Sequence, residues 1–282
     1  MKIGKYDVHV LTFGHFRMDG GGLFGIIPKK LWLRSYPHVD EDNRVLMAAK
    51  ALLVIGDGVV LVADSGLGEK LDAKTQGIFC VDQPHNAIGA ALRVHGITPS
   101  QVTHYVYTHL HFDHAGGSTC LRDGVLAPTF PNAQHFVQRD HLAWARSPSD
   151  KDRASFTPAN WEPVADAGLL QEIDGQLELL PGIELQPIHG HTPAMQMVAV
   201  KDASGGFVYT IDLFPTAAHI PPHYVAAFDN YPLLAMEEKR EFLAASCKNN
   251  VVVGFGHDPE CDGVLVEQNA KGFAIREKLK SI

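Results

Sequence analysis

The sequence predicts a mixed α/β protein in which two β-sheets pack face to face and helices cover their outer faces. Two observations carry that prediction. Strands arrive in hairpin groups with a few helices between groups, and the strict strand–helix alternation of a doubly wound nucleotide-binding fold is absent. A chain of 282 residues with 45% hydrophobic and 20% charged residues can fill one sizeable core. No repeat, low-complexity stretch or long linker divides residues 1–282, so a single domain is expected.

The elements follow in order. Residues 6–11 alternate as a strand does, and residues 19–32 read as a glycine-rich loop. Two apolar runs, 51–55 and 59–63, flank Gly56-Asp57-Gly58, whose Asp-Gly pair supplies the positive φ of a tight hairpin turn. Residues 86–95 read as a helix with Ala87, Ala90, Ala91 and Val94 on one face and Gly96 just past its end. Residues 102–107 return to a strand. In the second half, 177–180 and 183–188 flank the turn Pro181-Gly182, and 195–200 and 207–211 flank the glycine-rich residues 202–206. Residues 237–247 are helical by composition, and 251–253 form a buried strand.

Charge and composition exclude several function classes. Net charge is −8, so the overall field gives a nucleic-acid backbone little attraction. No apolar run is long enough to span a bilayer, and residues 1–7 lack the apolar stretch of a secretory signal. Cys80, Cys120, Cys247 and Cys261 show no Cys-x-x-Cys spacing, and the expectation is reduced thiols in a cytoplasmic protein. Gly20-Gly21-Gly22-Leu23-Phe24-Gly25 formally matches a dinucleotide fingerprint, but such a motif must open a helix, and Pro28 argues against one here.

The chemistry concentrates in Thr108-His109-Leu110-His111-Phe112-Asp113-His114-Ala115-Gly116-Gly117. Three imidazoles and a carboxylate fall within six residues, directly after an apolar strand. Imidazole and carboxylate suit a borderline divalent metal such as zinc. At strand pitch, His109 and His111 point to one side, whereas Asp113 and His114 lie past the bend. Six consecutive residues cannot complete the shells of two ions. Three other places repeat the pattern of apolar strand, then ligand: 183–188 before His189-Gly190-His191, 207–211 before Asp212, and 251–255 before Gly256-His257-Asp258.

This ordered set, His-x-His-x-Asp-His, then Gly-His, then Asp, then His, resembles the metallo-β-lactamase superfamily over most of the chain. The resemblance implies a four-layer αββα sandwich with a dimetal site along one edge of the sheets. It implies that His109, His111 and His191 bind a first metal, that Asp113, His114 and His257 bind a second, and that Asp212 bridges them. Asp64, in Asp64-Ser65-Gly66, is then expected to orient a ligand histidine through its other ring nitrogen. The glycine-rich segment, together with residues 212–219, resembles the quorum-quenching lactonase and methyl parathion hydrolase branch. Within that branch the chain departs from the best-known lactonases at two places. Ala194 and Met195 follow Pro193 where those enzymes carry another histidine, and Pro215 stands where they carry tyrosine.

The implied function is a dinuclear-metal hydrolase that uses a metal-bridging hydroxide to cleave a lactone or carboxylic ester of a hydrophobic small molecule. Two divalent ions per chain are expected, zinc by default, with manganese, iron or cobalt acceptable to the same donors. Asp113 is the expected catalytic carboxylate, holding the second metal and shuttling the proton. Leu23 and Phe24 are candidates for a wall over the site, and His219 for a pocket residue or proton donor. His189 copies the His-x-His spacing with His191, but a supporting role is expected for it. The alternatives are phosphotriester or aryl-ester hydrolysis and, from another class, a catalytically silent metal-dependent binding protein. The expected partner is a small-molecule substrate, with no nucleic acid or membrane, and a homodimer is a candidate assembly.

Overall fold

Period-2 alternation places apolar side chains on both faces of the central strands, and that dictates layers on both sides. The computed structural model describes residues 1–282. Strands β1 (Lys2–Ile3), β2 (Tyr6–Asp19), β3 (Arg44–Gly56), β4 (Val59–Ala63) and β5 (His104–Val106) lie side by side in that order. A separate hairpin, β6 (Thr119–Arg122) and β7 (Val125–Pro128), follows, and β8 (Gln134–Gln138) and β9 (Leu170–Ile173) extend the first sheet beyond β5. The second sheet runs in chain order through β10 (Leu177–Leu180), β11 (Ile183–Ile188), β12 (Met195–Asp202), β13 (Gly205–Tyr209), β14 (Val251–Gly254), β15 (Gly263–Asn269) and β16 (Gly272–Leu279). Pairing is parallel at β4–β5, β5–β8, β8–β9 and β13–β14, and antiparallel elsewhere.

The helices are α1 (Gly20–Phe24), α2 (Lys29–Trp32), α3 (Ala73–Ile78), α4 (Ala87–Val94), α5 (Phe112–Ala115), α6 (Arg139–Arg146), α7 (Glu162–Asp166) and α8 (Pro232–Asn249). Leu52 and Val54 of β3 pack inward against Val198, Val200, Phe207 and Tyr209 of the second sheet. Their neighbours Ala51 and Leu53 face outward, where Ala87 and Leu92 of α4 and Leu142 of α6 cover them. On the second sheet, Val208, Val251 and Val253 face outward against Leu243 of α8. The order of layers is therefore helix, sheet, sheet, helix. No helix is long and apolar enough to cross a membrane.

Two expectations are corrected. β2 runs well past residue 11, because Gly14 marks a bulge and not an end: the register against β3 shifts between Thr12 and Gly14. A Cβ at Gly14 would lie 2.6 Å from the Asp82 carbonyl oxygen, so the strand there demands glycine. Residues 19–32 are not an open loop. Asp19 caps α1 by accepting from the Gly21 and Gly22 amides at 2.8 and 3.0 Å, and Gly25 at φ +54° ends it. Pro28 then precedes α2, so it stops no helix. Although glycines do open α1, it is a single turn.

Candidate metal centre

Five segments meet at one edge of the sandwich, each just beyond a strand end. Asp64 follows β4, His109 to His114 follow β5, His191 follows β11, Asp212 follows β13 and His257 follows β14. These strands run in compatible directions, so their C-terminal ends lie together. His111 sits just before the one-turn helix α5, which carries Asp113 and His114. The chain turns sharply before Asp212: Ile211 adopts φ +47°, a costly conformation for a β-branched residue.

The predicted donors converge as two sets. His109, His111, His191 and Asp212 form one group, and Asp113, His114 and His257 the other, each compact enough to hold a metal ion. His111 Nδ1 lies 3.1 Å from His109 Nε2 and 3.2 Å from His191 Nε2. In the other set, His257 Nε2 lies 3.0 Å from His114 Nε2, and Asp113 Oδ2 lies 3.7 and 3.8 Å from these two nitrogens. Asp212 reaches both sets. Its Oδ2 is 3.3 Å from His191 Nε2 and 3.5 Å from His114 Nε2, and its Oδ1 is 3.1 Å from His257 Nε2.

The outer ring nitrogens fix which way these imidazoles present their lone pairs. His257 Nδ1 donates to the Ala48 carbonyl at 2.9 Å, His191 Nδ1 to Asp229 at 2.8 Å, and His114 Nδ1 to Asp64 at 3.0 Å. Asp64, buried at φ +66°, also accepts from the Thr108 amide and hydroxyl, and the hydroxyl oxygen lies 3.2 Å from His109 Nδ1. With those hydrogens directed outward, the Nε2 atoms of His109, His114, His191 and His257 converge. Asp212 Oδ1 is buried and has no hydrogen-bond partner. Burial, reinforced by neighbouring histidines, holds His109 and His111 well below the usual imidazole range, which keeps them neutral. Burial alone would raise the Asp212 carboxyl, but His114, His257 and His191 hold it well below the carboxylate range. Converging ring nitrogens and an unpartnered carboxylate oxygen, enclosed in protein, are what divalent cations satisfy, so the donor set fits the metals that the sequence implies.

A narrow cavity of about 20 Å³ lies over Asp113, His191, Asp212 and His257, walled by Met18, Leu23, Met47, Pro215, Ala226 and Phe228. That is room for about one water molecule. Leu23 thus lies on the wall as expected. Phe24 does not: it is buried behind the wall, stacked between Trp32 at 4.7 Å and His219 at 4.9 Å. His219 is also away from the cavity. Its ring pairs with Thr216 Oγ1 at 2.8 Å and donates to the Leu23 carbonyl at 3.1 Å, and burial lowers its pKa to about 3. It ties α1 to the segment after Asp212 and is unsuited to donating protons at neutral pH. His189 is exposed and accepts from the Ala194 amide at 3.2 Å, outside both donor sets.

Sequence reasoning missed the supports. Asp229 gives no local signal, since it meets His191 only through tertiary packing. His141 is buried on α6, where it accepts from the Leu110 amide at 2.8 Å and donates to the Pro193 carbonyl at 2.8 Å, joining two donor loops. Glu238 on α8 accepts from the His189 and Gly190 amides at 2.6 and 3.0 Å, setting the approach of His191.

The fold and the paired donor sets define a metal-dependent hydrolase of αββα architecture. Comparison with known proteins agrees: the profile of the metallo-beta-lactamase superfamily matches residues 46–257, and the chain belongs to that superfamily. An N-acyl homoserine lactonase from Bacillus sp is 28% identical over 221 residues, covering 74% of this chain and 80% of that protein. A crystal structure of a probable metal-dependent hydrolase from Staphylococcus aureus superposes with TM-score 0.90 at 29% identity, covering 99% of this chain and 98% of the other. AidC, a dizinc quorum-quenching lactonase, shares the fold with TM-score 0.79 at 20% identity over 98% of this chain and 95% of its own.

Proposed function

We propose that the protein is a dinuclear-metal hydrolase that opens a lactone or cleaves a carboxylic ester of a hydrophobic small molecule, with zinc as its metal. The observation that carries this reading is Asp212, whose carboxylate lies within 3.5 Å of nitrogens from both donor sets. His109, His111 and His191 would hold one ion, Asp113, His114 and His257 the other, and Asp212 both. Bound there, the ions supply an electrophile for the scissile carbonyl oxygen and a water acidic enough to act as nucleophile at neutral pH.

The chain's own residues do the rest. Asp64 and Asp229 hold the imidazoles in the required tautomer and orientation. Asp113, the carboxylate of the second set, would take the nucleophile's proton and return it to the leaving alkoxide. Met18, Leu23, Met47 and Phe228 form an apolar wall over the donors and exclude bulk water from the reacting centre. The similarity to Bacillus N-acyl homoserine lactonases supports a lactone as substrate. A second reading, phosphotriester or aryl-ester hydrolysis, is favoured by Pro215, which walls the cavity without offering a hydroxyl to a lactone carbonyl.

Metal-loaded protein assayed against an N-acyl homoserine lactone, an aryl ester and a phosphotriester ranks these readings. The lactone should turn over fastest. Fast phosphotriester cleavage with no lactone opening would reverse the order.

A further inference from the structure

The cavity over the donors is smaller than any ester or lactone. At about 20 Å³ it has room for one water molecule, whereas small-molecule sites span roughly 300–1,000 Å³. Part of its wall must therefore move before an organic molecule can reach Asp212 and the imidazoles around it. The structure limits which part that is. Leu23, Met47, Pro215 and Ala226 are buried and Met18 is half-buried. Phe228, 36% exposed, is the one wall residue that lies at the surface.

The backbone that carries Phe228 is tied down on several sides. The Ala227 amide donates to the Gly22 carbonyl at 2.8 Å, and the Asn230 and Tyr231 amides donate to the His191 and Gly190 carbonyls at 2.9 and 2.8 Å. Lys151 Nζ donates to the Phe228 and Asp229 carbonyls at 2.7 and 3.0 Å. A swing of this segment would also draw Asp229 away from His191 Nδ1. The side chain of Phe228 has no such tether. Its ring lies against α1 at Gly22, where a Cβ would stand 2.5, 3.0 and 3.4 Å from Phe228 Cζ, Cε1 and Cε2, the three nearest atoms it would meet. Gly22 lies outside the left-handed region, so glycine is needed there to admit the ring and not to relieve the backbone.

We propose that Phe228 is the gate of the metal centre, that it opens by rotation of its side chain over a fixed backbone, and that Gly22 is the seat on which it closes. A ring at the surface exchanges quickly between staggered positions. Rotation takes it off Gly22 and toward solvent while Asp229 stays on His191, so admission of a molecule does not disturb the aim of the donors. The seat and the ring then set which acyl or alcohol groups reach the donors. That effect on specificity rests on the hydrolase reading above, whereas the opening itself does not.

The test compares the unaltered full chain with Gly22→Ala, Phe228→Ala and the double variant. Each is loaded with zinc, and metal loss to a chromogenic chelator, metal uptake and equilibrium affinity are measured. Gly22→Ala and Phe228→Ala should each speed both loss and uptake several-fold at nearly unchanged affinity, because neither touches a donor. The double variant should match Phe228→Ala, since an alanine at position 22 then has no ring to displace. A crystal structure of Gly22→Ala, with or without metal, should show the Phe228 ring turned outward and the cavity over Asp212 open to solvent. Exchange at the unaltered rate in Phe228→Ala, effects that multiply in the double variant, or a ring still closed over the cavity in Gly22→Ala would overturn the proposal. Faster loss accompanied by an equal fall in affinity would trace the effect to Asp229 and overturn it as well. Variants that exchange metal faster as described, in a chain that cleaves no lactone or ester, would uphold the gate and overturn only the hydrolase reading.

Discussion

Replacing Asp229 tests whether orientation of a donor histidine from outside the donor set matters as much as the donor itself. The carboxylate accepts from His191 Nδ1 at 2.8 Å through Oδ1 and from the Ala226 amide at 3.0 Å through Oδ2. Asp229→Ala leaves two buried donors without acceptors, each costing about 1–3 kcal/mol, so a stability loss of about 2–6 kcal/mol is expected for metal-free protein. Metal affinity should fall a further 10- to 100-fold, because His191 loses the partner that fixes its ring and tautomer. Asp229→Asn keeps the shape and one acceptor, so it should cost less stability while still losing about tenfold in metal affinity. Thermal melting with chelator present isolates the stability term, since bound metal otherwise adds its own linkage. Competition against a chromogenic chelator then gives the affinity. An Asp229→Ala protein that binds metal as tightly as the unaltered chain would refute the reasoning.

Further predictions follow from the same geometry. His111→Ala or Asp113→Ala should lose both bound metal and activity, whereas His104→Ala should keep both, since His104 bonds Thr103 and stacks on Phe136 far along β5; elemental analysis and turnover check all three. Phe228→Ala should enlarge the narrow cavity and raise kcat/KM for bulky esters relative to small ones, measured with an acyl-chain series. Lys239, wholly buried with its ammonium on the Tyr224 carbonyl, has its pKa lowered by burial to about 7. Between pH 7 and about 10 the unfolded chain therefore holds a proton that the folded chain lacks, and folding stability rises with pH across that window. Lys239→Met has no such titration, so the stability difference between the two proteins should move by about 2–3 kcal/mol in favour of the unaltered chain from pH 7 to pH 9. A pH-independent difference in denaturant melts would exclude that burial effect.

The sequence announces the donors but conceals what aims them. His109, His111, Asp113 and His114 are legible because metal binding restricts residue type, and because six adjacent positions at a strand end leave little alternative geometry. His191, Asp212 and His257 are legible by the same strand-then-ligand pattern, and the structure brings them to the cluster. Asp229 and the Ala48 carbonyl are not legible, since their partners are 38 and 209 positions away and a backbone carbonyl has no residue signature. Phe24 and His219 show the converse failure. An aromatic in a glycine-rich segment and a histidine soon after Asp212 both suit a pocket, yet they stack on each other behind its wall. For the fold, the hairpin at 51–63 and the central strands were readable from alternation. The continuation of β2 past residue 11 was not, because the bulge at Gly14 is set by the approach of Asp82, which is distant in sequence.

Metal stoichiometry of the purified chain tests the central claim most directly. Elemental analysis should find two transition-metal ions per polypeptide, falling below one in Asp212→Ala because that carboxylate serves both donor sets. A folded, unaltered chain that retains no transition metal after exposure to zinc or manganese, or an Asp212→Ala protein that keeps both ions, would contradict it.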